Sequence, residues 1–124
     1  MNVIDVGTLI YFAGNGTDRS ETFRAPEGKR MTAVLETTVI NMSGTATSKV
    51  TVTLQQSSDL RNWTNVPFPA AHDLVSAPAF VRSDTAGSTS PYVTQPYVRL
   101  MYDGSAGSSG QVFLFSALLT LTET

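Results

Sequence analysis

The chain has no cysteine, a single histidine, and charge on only 15% of its 124 residues. Each shortage excludes something. Without cysteine there is no disulfide, no zinc–thiolate site and no thiol nucleophile, while the redox compartment stays open. With one histidine, His72, a zinc site built from several imidazoles cannot form, and any Ser-His-Asp triad would have to be assembled around this residue. Asp73 is merely its neighbour in sequence, and no Gly-x-Ser-x-Gly elbow occurs. His72 therefore reads as a loop histidine without a catalytic role, and no enzyme is expected. No run of about 20 apolar residues is present to cross a bilayer. The opening stretch MNVIDVGTLIYFAGNG lacks a basic segment and carries Asp5 inside its apolar run, so it does not read as a secretory signal. The formal net charge of -2 and a pI near 5.1 leave little basic surface for neutralising phosphates. Neither nucleic acid nor a membrane is expected as a partner. The sequons at Asn15, Asn41 and Asn62 are the chance yield of a chain rich in serine and threonine.

What is abundant is serine and threonine, together roughly a quarter of the chain. The branched Cβ of threonine suits the exposed face of a pleated strand, which favours β over helix. A length of 124 residues with 41% hydrophobic content fits one domain, residues 1–124, with enough core to fold without metal or disulfide.

Periodicity supplies the strands. Residues 50–56 alternate strictly, with Val50, Val52 and Leu54 on one face and Thr51, Thr53 and Gln55 on the other. Residues 30–42 carry the β-branched run Thr37, Thr38, Val39, Ile40, which resists helix, and read as a long strand. The small residues 43–48 are expected to join these two strands as a hairpin. The C-terminal part repeats the plan: a strand at 96–102, a Gly/Ser hairpin loop at 103–110, and a strand at 111–122 that is apolar on both faces and so central or covered. Shorter strands are expected at 7–12, 21–24, just after Trp63 and between 74 and 82, with 84–91 an exposed loop. The prolines at 67, 69, 78, 91 and 96 confine any strand there to an edge. The sum is an all-β, single-domain antiparallel β-sandwich of about seven or eight strands, of Greek-key or jelly-roll type.

Little in the chain announces chemistry. The acids fall mostly at turns, without the facing pair that glycosidic hydrolysis needs. The loops holding Asp59 or Asp103 lack the regular Asp-x-Asp-x-Asp-Gly calcium pattern, and residues 103–110 have glycine but no lysine and no following helix to cradle phosphate. No metal or cofactor is expected. The remaining candidate is the corner SSDLRNW. Asp59 and Asn62 are residues that hydrogen-bond their own backbone in turns, so the corner has a mechanism without any ligand. Trp63 is expected to anchor one edge of the core. The functional alternative is an exposed Trp63 that stacks on a sugar ring or fills a partner's pocket, assisted by Arg61 and Asn62.

The stretch VTVTLQQSSDLRNWTNV, followed by PYVRLMYDGSAGSSGQVFLFSALLT, resembles small β-sandwich virion proteins of tailed bacteriophages and prophages, in which a strand leads into a Ser-x-Asp…Trp corner and a later Tyr-Val-Arg strand precedes a Gly/Ser loop. The resemblance implies a capsid decoration, cement or head-tail accessory protein, with the major capsid or other virion proteins as partners. It also implies a homo-oligomer such as a trimer, and a place in the virion after assembly in the host cytoplasm. Similar corners occur in carbohydrate-binding sandwiches, which keeps a glycan-binding module using Trp63 as the alternative. A sandwich of low charge is suited to flat interfaces, since few long charged side chains must be desolvated or ordered there.

Overall fold

The computed structural model describes residues 2–12, 17–26, 28–42, 49–85, 92–104 and 112–124. They form the strands β1 (Asn2–Phe12), β2 (Thr17–Arg19), β3 (Phe23–Arg24), β4 (Met31–Met42), β5 (Val50–Ser57), β6 (Thr64–Val66), β7 (His72–Leu74), β8 (Ala79–Asp84), β9 (Tyr97–Gly104) and β10 (Val112–Glu123). One sheet has the order β1-β10-β4-β8 and the other β2-β9-β5-β6, with β3 also on β9 and β7 also on β5. All pairings are antiparallel.

Ten strands replace the expected seven or eight because two edge strands are interrupted. β2 and β3 share one flank of β9, and β6 and β7 share one flank of β5. The second interruption holds Pro67 and Pro69, which cannot donate to a ladder. Glu21 and Thr22, expected to begin a strand, fall in the first interruption. With each interrupted strand counted once, both sheets have four strands, and chain order alternates between them in the jelly-roll pattern except from β5 to β6 and β7, which share a sheet.

That topology corrects the two expected hairpins. β4 pairs with β10 and β8, whereas β5 pairs with β9, β6 and β7, so the strands flanking residues 43–48 lie in opposite sheets. The same holds for β9 and β10. Each strand has one strongly apolar face, and two such faces meet as well across a sandwich as side by side. Residues 43–48, 86–91 and 105–110, three of the expected loop segments, lie outside the described residues; Asp103 and Gly104 prolong β9.

β10 is one of the two inner strands of its sheet, as its apolar run implies. Its inner residues Phe113, Phe115, Ala117, Leu119 and Leu121 are buried against Val50, Val52 and Leu54 of β5 and Val98, Leu100 and Tyr102 of β9 in one continuous core. β1 begins five residues earlier than expected and bends at Gly7 (φ 83°), where the register to β10 shifts and the Gly7 N–H donates to Asp5 Oδ1 at 2.9 Å. This local bond accommodates the aspartate that interrupts the apolar run. At the other end of the core, Tyr11 packs against Tyr102 (centroids 6.0 Å apart) and Phe113 (6.2 Å).

Gly104 is required by this aromatic cluster. A Cβ at this position would stand 2.6 Å from the Tyr11 ring, which is itself buried and held by its aromatic neighbours. Gly104→Ala is expected to lower the unfolding free energy by about 1–3 kcal/mol, measured by urea denaturation; an unchanged midpoint would mean that the ring moves aside freely.

Candidate functional site

The corner at residues 57–63 is the turn of the β5–β6 hairpin, the one place where strands consecutive in the described chain are neighbours in a sheet. Its geometry follows from Ser57 and Asp59. The Ser57 hydroxyl accepts the N–H groups of Asp59 (3.2 Å) and Leu60 (2.9 Å) and donates to Asp59 Oδ1 (3.0 Å). Asp59 Oδ1 accepts the N–H groups of Arg61 (2.9 Å) and Asn62 (2.8 Å), and its Oδ2 accepts from the Asn62 side-chain amide at 2.8 Å. Leu60 sits at φ 66°, a conformation this network holds in place. Bonds from the Asn62 and Arg61 backbones, then from the Asn62 side chain, keep the Asp59 carboxyl well below the usual carboxylate range. Asp59 thus contributes stability above its ordinary pKa and loses it as the solution is acidified further. Both its oxygens serve the turn.

The four expected site residues are consequently divided. Asp59 and Asn62 are joined within the turn, and Arg61 is exposed with its N–H engaged there. Trp63 is half-buried but is not part of the core cluster, contrary to the expected anchor. The register explains it: Leu54 opposite Val66 turns Val66 inward and Asn65 outward, and Trp63 shares the side of Asn65. The cation on Trp63 is Arg99 of β9, whose guanidinium lies 3.9 Å from the ring centroid.

Trp63 therefore belongs to the outer face of the β2-β9-β5-β6 sheet. Arg99 Nε donates to Gln55 Oε1 at 2.8 Å, and Gln55 Nε2 donates to Asn65 Oδ1 at 3.0 Å. One step along β9, Tyr97 carries Arg24 over its ring at 5.1 Å, with Arg24 Nη1 donating to the Tyr97 hydroxyl at 3.2 Å. One step the other way, Met101 faces Arg19 on β2. Burial, with Arg19 adding a smaller repulsion, draws the Arg99 pKa down. The signal for this face was the alternation of β9, which sets Tyr97, Arg99 and Met101 opposite the core residues Val98, Leu100 and Tyr102. The sequence contains no mark that brings Arg24, Gln55 or Asn65 to them.

His72 is not a loop residue. It lies on the inner face of β7, buried, and bridges the sheets: its Nε2 is 2.7 Å from Thr37 Oγ1 on β4 and its Nδ1 is 2.7 Å from Ser83 Oγ on β8. The Thr37 hydroxyl also lies 3.4 Å from the Val81 carbonyl, an acceptor that fits a hydroxyl donating to Val81 and receiving Nε2–H. Burial pushes the imidazole pKa down to about 4, with Asp73 opposing weakly. Two cavities flank the gap between β6 and β7. One of about 240 Å³ is lined by Thr53, Val66, Phe68 and His72 among others, and one of about 190 Å³ by Phe68, Arg82, Ser83 and Asp84. No group of three His, Asp or Glu residues that could hold a metal occurs among the described residues, and no helix there is long and apolar enough to cross a membrane.

Trp63→Ala is expected to lower stability by less than about 1.5 kcal/mol, well short of the 3–5 kcal/mol typical of a core aromatic. Thermal denaturation checks this; a core-sized loss would return Trp63 to the role of anchor.

No protein-family model matches the chain, and neither does any curated protein. Solved structures do. The infectious bursal disease virus VP2 subviral particle superposes with a TM-score of 0.63 at 10% identity, over 98% of this chain and 32% of VP2. The Gt strain of that virus gives 0.56 at 12% identity, over 97% of this chain and 31% of that one. A CBM4 carbohydrate-binding module gives 0.50 at 16% identity, over 94% and 71%. The chain spans about a third of the length of the viral proteins. The fold is thus a β-sandwich of a kind found in viral capsid proteins and in carbohydrate-binding modules, and tailed phages are not singled out by it.

Proposed function

We propose that the chain is a non-enzymatic structural component of a virion, a capsid decoration or cement protein that stabilises or coats a phage-like shell through protein–protein interfaces. The observation that carries this reading is the outer face of the β1-β10-β4-β8 sheet. Ile10, Ile40 and Phe80 stand 48%, 49% and 60% exposed there, and the pairing of Ile10 with Leu114 sets a half-buried leucine between β1 and β4. Exposed apolar side chains at this density on a sheet face suit burial against another protein. The capsid-like fold and the resemblance of the Ser-x-Asp…Trp corner to phage virion proteins support the same reading. Partners are then the major capsid or other virion proteins and further copies of the chain, with closed cyclic association such as a trimer.

Co-sedimentation with purified particles tests the interface. The wild-type chain is expected to pellet with them, and Phe80→Asp combined with Ile10→Asp, folded by circular dichroism, to bind at least tenfold more weakly. Equal binding by both proteins would reject this face, and a monomeric mass at high concentration would reject the oligomer.

A second reading, a carbohydrate-binding module, is favoured by one observation: Trp63, Tyr97, Gln55 and Asn65 share the opposite outer face with three arginines. The two readings use different sheets and are compatible in one molecule.

A further inference from the structure

We infer that the outer face of the β2-β9-β5-β6 sheet is a binding site for an acidic saccharide, one bearing carboxylate or sulfate groups. The inference rests on the carbohydrate-binding reading above and adds the charge of the ligand and the residues that read it.

Three arginines, Arg19, Arg24 and Arg99, lie on this face in a chain whose net charge is -2. Among the described residues the ion pairs are Lys29–Glu123, Lys49–Asp73 and Arg82–Asp84, so none of the three guanidinium groups meets a carboxylate. Arg24 and Arg99 rest instead on aromatic rings, a contact that orients the planar group and leaves its charge uncompensated. Arg99 uses Nε on Gln55, and its terminal nitrogens have no protein acceptor among the described residues. A fork held flat in this way matches the two oxygens of a carboxylate or sulfate.

The neighbouring groups suit the rest of a sugar. Asn65 is exposed and offers its amide N–H groups for hydroxyls, whereas Gln55 is buried and spends its amide on Arg99, Asn65 and the Met101 sulfur, which fixes their placement; Trp63 and Tyr97 each have an arginine over one ring face. The register fixes the layout: Tyr97 with Arg24, then Arg99 with Gln55 and Asn65, then Met101 with Arg19 and Thr53. Three rows along a strand and four strands across give a surface about 14 Å on a side, room for a short oligosaccharide. The acids on this face, Asp73 and Asp103, stand in the row beyond Met101, and Asp73 is already engaged by Thr51 at 2.6 Å and by Lys49 at 3.6 Å. At the other end the exposed Asp59 is ionised too, with both its oxygens engaged by the turn. A nucleic acid is the poorer occupant, because three cations on a net-negative domain give little of the counterion release that dominates such binding.

Affinity gel electrophoresis and calorimetry with the full chain provide the test, using polygalacturonate, dextran sulfate, neutral dextran and neutral xylan, with single-stranded DNA as the control anion. The expected result is retardation by polygalacturonate or dextran sulfate and by neither neutral polymer. Arg99→Gln should weaken it at least tenfold and Arg24→Gln several-fold. Arg99→Lys should not restore it, because an ammonium keeps the charge and loses the planar fork. Arg24 and Arg19 are exposed, so Arg24→Gln with Arg19→Gln keeps the test open should Arg99→Gln fail to fold. Binding of neutral polymers only would overturn the acidic specificity while sparing the carbohydrate reading, and no binding to any saccharide would overturn both. Equal retardation by DNA, or retention unchanged in the arginine variants, would also overturn the inference.

Discussion

Phe115→Ala is expected to lower the unfolding free energy by about 3–5 kcal/mol, the largest loss from any single substitution considered for this chain. Phe115 is the fourth residue of β10, the strand that pairs with both β1 and β4 and so carries its sheet. Its ring is fully buried and meets Tyr102 of the facing sheet edge-on, with centroids 5.5 Å apart. Truncation removes the apolar area, the edge-to-face contact and one of the direct links between the two layers. It leaves a void between strands whose backbones are locked by ladders on both flanks, so collapse into it is limited. Urea denaturation reads the effect. A loss below about 1 kcal/mol would mean that the two sheets are not packed through this contact.

Acidification should cost nearly as much. His72 carries an imidazole whose pKa is pushed down to about 4 from an ordinary 6.5 by burial between the sheets. The unfolded chain therefore takes up the proton first as the pH falls. The contribution of the neutral, buried ring is complete above pH 6.5, declines between 6.5 and 4, and levels off below 4. The difference corresponds to about 3 kcal/mol. The cost of protonation is that of charging a buried ring, because its two nitrogens meet only the neutral hydroxyls of Thr37 and Ser83, which accept N–H groups and carry no compensating charge. The nearest opposing charge is Asp73, which raises the pKa only weakly, while the Asp59 turn begins to lose its contribution only at lower pH. Denaturation midpoints at pH 7, 5.5 and 4 should fall for the wild type and stay flatter for His72→Gln. Parallel slopes in the two proteins would assign the acid sensitivity to carboxylates instead.

Much of the sandwich could be read from alternation. Val50, Val52 and Leu54 face inward as the pattern demands, and the doubly apolar run at 112–122 is an inner strand of its sheet. What alternation cannot convey is which apolar face meets which. Residues 43–48 suggested a hairpin because loops of small residues often make one, yet the strands on either side face each other across the core. The strand holding His72 escapes the sequence for a related reason. Prolines and alanines around it suggested a loop, and the three-residue β7 is visible only through its pairing with β5. The corner itself was legible as a turn, since Ser57, Asp59 and Asn62 act on their own backbone. The surface beside it was not, because Arg24, Gln55, Asn65 and Arg99 are separated by tens of residues and meet only through sheet register. The size of Trp63 points inward; register with β5 turns it outward.

The two outer faces give the proposal its physical shape. One sheet presents isoleucine and phenylalanine side chains, suited to burial against a shell, and the other presents arginine, amide and aromatic groups, suited to a polar ligand. The most direct measurement is quantitative mass spectrometry of purified particles from cells carrying the gene, comparing this chain with the major shell protein. The account predicts that the chain is present at a ratio near one or a simple fraction of it. Its absence from the particles would contradict the virion assignment.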